Sequence, residues 1–263
     1  PVAVAYAEES EHRRTLAPAV VDALRHSGLF AMALPRELGG VECDPLGQIE
    51  IFEAMARADG SAGWSLMIGA MTSALVAAYL PDAGVAQIFD GRAAVCVGAQ
   101  QPSGVARRAP ACYVISGRWA YGSGVRHADW VLSGAAVEPQ APNAPPSFIG
   151  AVVPADRVRI EDTWDAARPR GSGSDHYDME DVFVPEERTC PFPSAPPRRG
   201  GALFTQPMMA LLAPAHIGFA LGVARRALDE IAVLAPHRKK PSTGAPLGEH
   251  AAFQMSLGRA ESQ

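Results

Sequence analysis

Closely spaced cysteines, an excess of basic charge and any paired-carboxylate or metal-ligand cluster are all missing from this chain of 263 residues. Its four cysteines, Cys43, Cys96, Cys112 and Cys190, stand far apart without a C-x-x-C motif. That spacing argues against a zinc knuckle or a dense disulfide framework and points to a reducing cytoplasm. Lysine and arginine number 23 against 28 aspartate and glutamate, for a formal net charge of -5. No field for phosphate backbones or anionic lipid results, so neither nucleic acid nor a membrane is expected as a partner. Pro1 to Glu11 hold no basic start followed by an apolar run, so no export signal is expected there. Charged residues make up 19% of the chain and apolar ones 48%, the balance of a globular protein with a sizeable core.

Gly60 to Leu80 carries no charge and is long enough to cross a bilayer. Ser61, Ser65, Thr72 and Ser73 interrupt it and no basic flank orients it, so a buried core helix is the better reading. Helical periodicity also marks residues 8 to 28, with Leu16, Val20, Val21 and Leu24 on one face and Gly28 as a stop. Further helices are predicted over Pro45 to Ala58, from an Asp59 or Ser61 cap through Tyr79, and over Ala83 to Phe89. From Ala93 the texture changes to short β-rich runs: Val95 to Val97, Tyr113 to Ser116, Trp130 to Leu132, Phe148 to Val153 and Val182 to Val184. Cys190 to Gly201 reads as a proline-rich linker, Met208 to Leu234 as a long helix, and His250 onward as the start of another. The expected organisation is therefore α+β: an all-helical domain over 1–92, a β-barrel or sandwich domain over 93–195, and helices again over 196–263.

Several motifs in one order carry a resemblance. Leu34-Pro35-Arg36-Glu37-Leu38-Gly39-Gly40, Asp59-Gly60-Ser61-Ala62-Gly63-Trp64, the strand Ile115 to Gly124, Arg170-Gly171-Ser172-Gly173-Ser174 and Glu180 to Pro185 together resemble the acyl-CoA dehydrogenase superfamily. Within it, the short connection from Gln100-Gln101-Pro102-Ser103-Gly104 to Ser116-Gly117, and Gly122-Ser123-Gly124 ahead of His127-Ala128-Asp129-Trp130, resemble the two-component flavin monooxygenases. The helix from Met208 also has no glutamate before Asp229 and Glu230, where some dehydrogenases carry their base.

That resemblance implies reduced FMN or FAD from a separate reductase, O2, a small hydrophobic substrate of aromatic or polyketide type, and a homotetramer. It also implies chain beyond Gln263 that completes a helical bundle and carries the catalytic base. An acyl-CoA dehydrogenase, or a non-catalytic flavin or ligand binder, are the other readings. An oxygen-activating site needs dryness and a placed hydroxyl. By motif position Ser123 is the catalytic candidate, taking the place of the hydroxyl residue that meets the flavin ring, although a serine between two glycines also fits a plain turn. Tyr121 takes the place of an aromatic beside the ring, or simply packs on a strand. Gln100, Pro102 and Ser103 would pass the flavin, or form an ordinary hairpin turn. Arg170 and Ser172, with Ser174, would meet a phosphate, or form a solvated loop. Trp64 and His127 are candidates for the substrate pocket, with core packing the plainer role for Trp64. His176 lies near the motifs without an inherited role, and His216 on its apolar helix is expected to be a satisfied core residue. No metal is expected.

Overall fold

Local capping and backbone chemistry divide the N-terminal third into six helices. The computed structural model describes residues 1–91, 94–141, 144–167, 169–239 and 244–262. It begins with α1 (Val2–Ala5), α2 (Ala7–Arg13) and α3 (Pro18–His26). The single helix expected over 8 to 28 is thus two. Arg14 turns left-handed at φ 55 and ends α2, while Pro18 occupies the first turn of α3, where its missing N–H loses nothing. Leu16 and Ala17 between them are buried, so the core holds the break in place. α4 (Pro45–Ala58) starts on Asp44, whose carboxylate accepts from the Gly47 amide at 2.8 Å. Asp59 ends α4 and caps α5 (Gly60–Tyr79), accepting from the Ala62 amide at 2.7 Å. By length and composition α5 would cross a membrane, yet it is buried inside the protein along nearly its whole length. α6 (Asp82–Ile88) follows Pro81.

The expected boundary between residues 92 and 93 lies outside the described residues. Beyond it come β1 (Cys96–Val97), β2 (Gly104–Ala109), β3 (Cys112–Gly122), β4 (Trp130–Val137), β5 (Ser147–Pro154), β6 (Arg159–Glu161), β7 (Asp175–Pro185) and β8 (Thr189–Pro191). They form one sheet in the order β6-β7-β3-β2-β4-β5-β8, with β1 also on β4. The supposed linker from Cys190 therefore opens as an edge strand, Cys190 standing opposite Gly150 of β5.

β1 and β2 run one after the other along the same edge of β4, both parallel to it, with Cys96 opposite Trp130 and Gly104 opposite Ala135. The chain between them, 98 to 103, has to leave the edge and return. It does so over Gly134, where an added Cβ would lie 2.2 Å from the Gln100 carbonyl oxygen. Beneath this loop the Trp119 and Tyr177 rings stack at 5.5 Å, and the Trp119 Nε1 donates to the Gly134 carbonyl at 2.8 Å. The Tyr177 hydroxyl bonds the Ala99 amide at 3.1 Å and the Ser133 hydroxyl at 2.8 Å. A loop that carries no regular pairing is thereby fixed to the centre of the sheet.

α7 (Met208–Leu234) returns to the N-terminal helices, and α8 (Ala251–Glu261) follows. α7 lies against α4 with almost no side chain between the backbones. A Cβ at Gly218 would come within 2.5 Å of the Ile49 carbonyl oxygen, and one at Gly222 within 2.3 Å of that of Glu53. Arg57 of α4 and Asp229 of α7 pair at 2.7 Å at the outer end of this seam.

Candidate functional site

Four residues from three distant segments of the chain, Trp64, Ser123 and the pair Ser172 and Ser174, meet through their polar atoms. The turn after β3 places Ser123 inside the protein, 5% exposed. Its amide bonds the Tyr121 carbonyl at 2.8 Å, and the Gly124 amide bonds the Ser172 carbonyl at 3.0 Å. A single 3-10 turn, Arg170–Ser172, supplies the facing side. There the alternation of glycine and serine has a steric cause. A Cβ at Gly171 would sit 2.9 Å from Ser10 and Ser61, and Gly173 is left-handed at φ 55 against Thr15, so the glycines face the helices and the serines face inward.

The Ser123 hydroxyl accepts from the Trp64 Nε1 at 2.9 Å and bonds Ser174 at 2.8 Å; Ser174 bonds Ser172 at 2.9 Å, and Ser172 donates to the Pro169 carbonyl at 2.9 Å. A hydroxyl has one proton to give. Because the carbonyl at the end of the chain can only accept, the Ser172 proton is committed to it, Ser174 must donate to Ser172, and Ser123 must donate to Ser174. The relay thus runs one way, from Trp64 to Pro169, and leaves the Ser123 oxygen with an open acceptor position and no proton of its own to offer.

Trp64, projecting from α5, packs edge-on against Phe219 of α7 at 5.0 Å and against His216 at 6.2 Å. His216 is exposed, not a core residue; its Nδ1 lies 3.0 Å from the Leu212 carbonyl oxygen and its ring edge meets Trp64. Phe219 also lines a cavity of about 820 Å³, together with Glu11, Asp59, Ser61, Arg170 and Val223. Glu11 gathers the mouth of this cavity. Its carboxylate accepts from the Ser61 hydroxyl at 2.6 Å and from the Arg170 and Gly171 amides at 3.2 and 3.1 Å. Burial pushes the Asp59 carboxyl up, the Ala62 amide opposes this, and Glu11 adds to it. The Arg170 guanidinium reaches Asp165 at 3.1 Å, while the Ser172 side chain is wholly buried in the relay.

Tyr121 forms a second feature. It is held at φ 62 and is 67% exposed, with its ring edge-on to His176 at 5.6 Å and to Trp164 at 6.4 Å. Trp164 is anchored through its Nε1 to the Pro169 and Arg170 carbonyls at 3.3 and 3.1 Å, so the ledge and the relay share one turn. Gln100, Pro102 and Ser103 sit on the loop between β1 and β2, half-buried at Gln100 and exposed beyond it, carried by Tyr177 and not by the relay.

His127 belongs to neither feature. Its ring packs by Gly124, where a Cβ would lie 3.0 Å from Nε2, and its two buried ring nitrogens have no hydrogen-bond partner. Burial pushes the imidazole down to about 4, with the Arg25 guanidinium adding to the effect and Asp129 opposing it. The residue does not line the 820 Å³ cavity. Phe219 and Trp164 escaped the sequence reading; the available signal for Phe219 was its place three residues after His216 on the same face of α7.

Residues 2–85 match the acyl-CoA dehydrogenase N-terminal domain family. Over 255 residues, 96% of the chain, the sequence is 32% identical to indole-3-acetate monooxygenase of Pseudomonas putida. The chain is thus similar to the acyl-CoA dehydrogenase superfamily, whose N-terminal domain its residues 2–85 match. It is also 31% identical over 239 residues, 86% of this chain, to the oxygenase component of the FADH(2)-dependent resorcinol hydroxylase of Rhizobium sp.. The two-component flavin monooxygenases are thus the branch it resembles. XiaF from Streptomyces sp., solved in complex with FADH2 and glycerol, shares the fold with a TM-score of 0.87 at 28% identity, over 98% of this chain and 67% of that one. The chain spans 64% of the Pseudomonas relative and 58% of the Rhizobium one.

Proposed function

We propose that this chain belongs to the acyl-CoA dehydrogenase superfamily and is the oxygenase component of a two-component flavin monooxygenase. It receives reduced FMN or FAD from a separate reductase and, with O2, hydroxylates a small hydrophobic substrate of aromatic or polyketide type. The observation that carries the reading is the buried Ser123 hydroxyl beside Trp64 and Phe219, in a chain related over nearly its whole length to named monooxygenases. The residues fit a flavin by the chemistry of their donors and faces. Tyr121 offers an exposed aromatic face, the Gln100 to Ser103 loop offers uncharged polar groups, Arg170 offers a cation, and Ser123 keeps one buried acceptor position. A bound reduced flavin would supply the electrons that activate oxygen. The chain's own part is to hold the ring against Tyr121 and Ser123 and to keep water out with Trp64 and Phe219. Phe219, Val223 and Ser61 line the cavity proposed to receive the substrate. The proposal includes a homotetramer and a cytoplasmic setting, which the four free thiols fit.

An acyl-CoA dehydrogenase, whose base would lie beyond Gln263, is the weaker reading, and α7 offers no base in its place. Both acids of that helix are committed to arginines, Asp229 to Arg57 and Glu230 to Arg226, the latter at 2.7 Å. The full-length protein, mixed anaerobically with reduced flavin and then with oxygen-18 gas and phenolic or indolic substrates, should place one labelled atom in a product. Quantitative release of peroxide with every such substrate would overturn the proposal. Bleaching of oxidised flavin by an acyl-CoA thioester would favour the dehydrogenase instead.

A further inference from the structure

We infer that the serine relay sets the redox preference of the site, with Ser172 and Ser174 as positioning residues that make Ser123 an acceptor. The inference rests on the proposed flavin reading and deepens it. Its ground is the direction of the hydrogen bonds. The Pro169 carbonyl takes the Ser172 proton, which forces Ser174 to donate to Ser172 and Ser123 to donate to Ser174. The Trp64 Nε1 occupies one acceptor position of the Ser123 oxygen and leaves the other open. All three serines are at most 5% exposed, so water is not at hand to reverse the direction. Whatever docks on Ser123 must therefore bring a proton to it.

The two states of a flavin differ in this respect. The central ring nitrogen nearest the reactive carbon bears an N–H in the reduced ring and a bare lone pair in the oxidised ring. Against an oxygen that can only accept, the reduced ring makes a hydrogen bond, whereas the oxidised ring sets one lone pair against another. The relay thus favours the form that a reductase delivers and disfavours the form left after turnover, with no charged residue involved. The two outer serines act without touching the ring.

The test is the ratio of flavin dissociation constants, oxidised over reduced, measured anaerobically by titration of the full-length protein and its variants. Ser174→Ala releases the Ser123 proton toward the ligand. Ser172→Ala lets Ser174 turn its own proton to Ser123 and has the same effect one step removed. In each variant the ratio should fall about fivefold, the scale of one neutral hydrogen bond. Ser174→Thr, which keeps a hydroxyl, should restore it. A ratio that stays constant in both alanine variants, or equal weakening of both redox forms, overturns the relay. Failure of the unaltered protein to bind either form would instead reject the flavin reading itself.

Discussion

Replacing Ser123 by alanine would leave the Trp64 Nε–H without its acceptor and Ser174 without its donor. An orphaned, largely buried donor costs about 1–3 kcal/mol, so Ser123→Ala should lower the unfolding free energy by that amount in denaturant titration. Adding Trp64→Phe should return part of the loss, because the two changes share one bond and a double-mutant cycle would show coupling. The same substitution should raise peroxide yield in a reduced-flavin assay. His127 gives a second prediction at this scale. Its ordinary value is 6.5 and burial holds it at about 4, so the unfolded chain takes up a proton over this window before the folded one does. Stability contributed by the neutral ring is complete above pH 6.5 and is lost as pH falls toward 4, by about 3 kcal/mol in all. His127→Phe should flatten that part of the stability profile in pH-dependent chemical denaturation; a profile identical to that of the unaltered protein would count against the buried neutral ring. Trp64, Ser123 and Ser172 are each visible as motif residues, but the bond that joins positions 64 and 123 depends on α5 lying against the β3 turn, and no spacing in the chain encodes it.

Gly134 belongs to the scale of the element, since it lets the 98 to 103 loop cross β4. Gly134→Ala would drive a methyl into the Gln100 carbonyl, and forced overpacking of this kind costs about 1–3 kcal/mol. The expected result is a lower midpoint of denaturation, with faster hydrogen exchange confined to the loop and its neighbours; an unchanged exchange pattern would mean that the crossing is looser than the geometry shows. Which elements were legible follows from what each displays. α4 and α7 announce themselves, one through Asp44, Pro45 and an apolar face, the other through a mainly apolar stretch from Met208 to Ala224 that continues past its charged residues to Leu234. β2 was hidden because Arg107 and Arg108 face solvent along a strand whose burial alternates only briefly, and β8 because it lies in a proline-rich run. The break between α2 and α3 was missed because Leu16, Val20, Val21 and Leu24 all lie beyond Arg14, and nothing in the polar run Glu8 to Arg13 marks a left-handed residue at its end.

For the molecule as a whole, the α4 and α7 seam decides whether the cavity has a wall. Gly218→Ala or Gly222→Ala would push α7 away from the Ile49 and Glu53 carbonyls and carry Phe219 and His216 off Trp64. Thermal unfolding should drop, and α7 should exchange its amides faster while the β-sheet is unaffected. Asp229→Asn, at the outer end, should change stability little, because the Arg57 to Asp229 pair is half-exposed. The α+β architecture was readable from the order of helical, β-rich and helical texture, whereas the closeness of the seam depended on glycines that by themselves suggest only turns. A joint with so few side chains between its backbones has little to compress. A push delivered to α4 from outside is therefore passed on to the aromatic face of α7 with little damping, and the outer surface of this helical pair becomes a handle on the chemistry within.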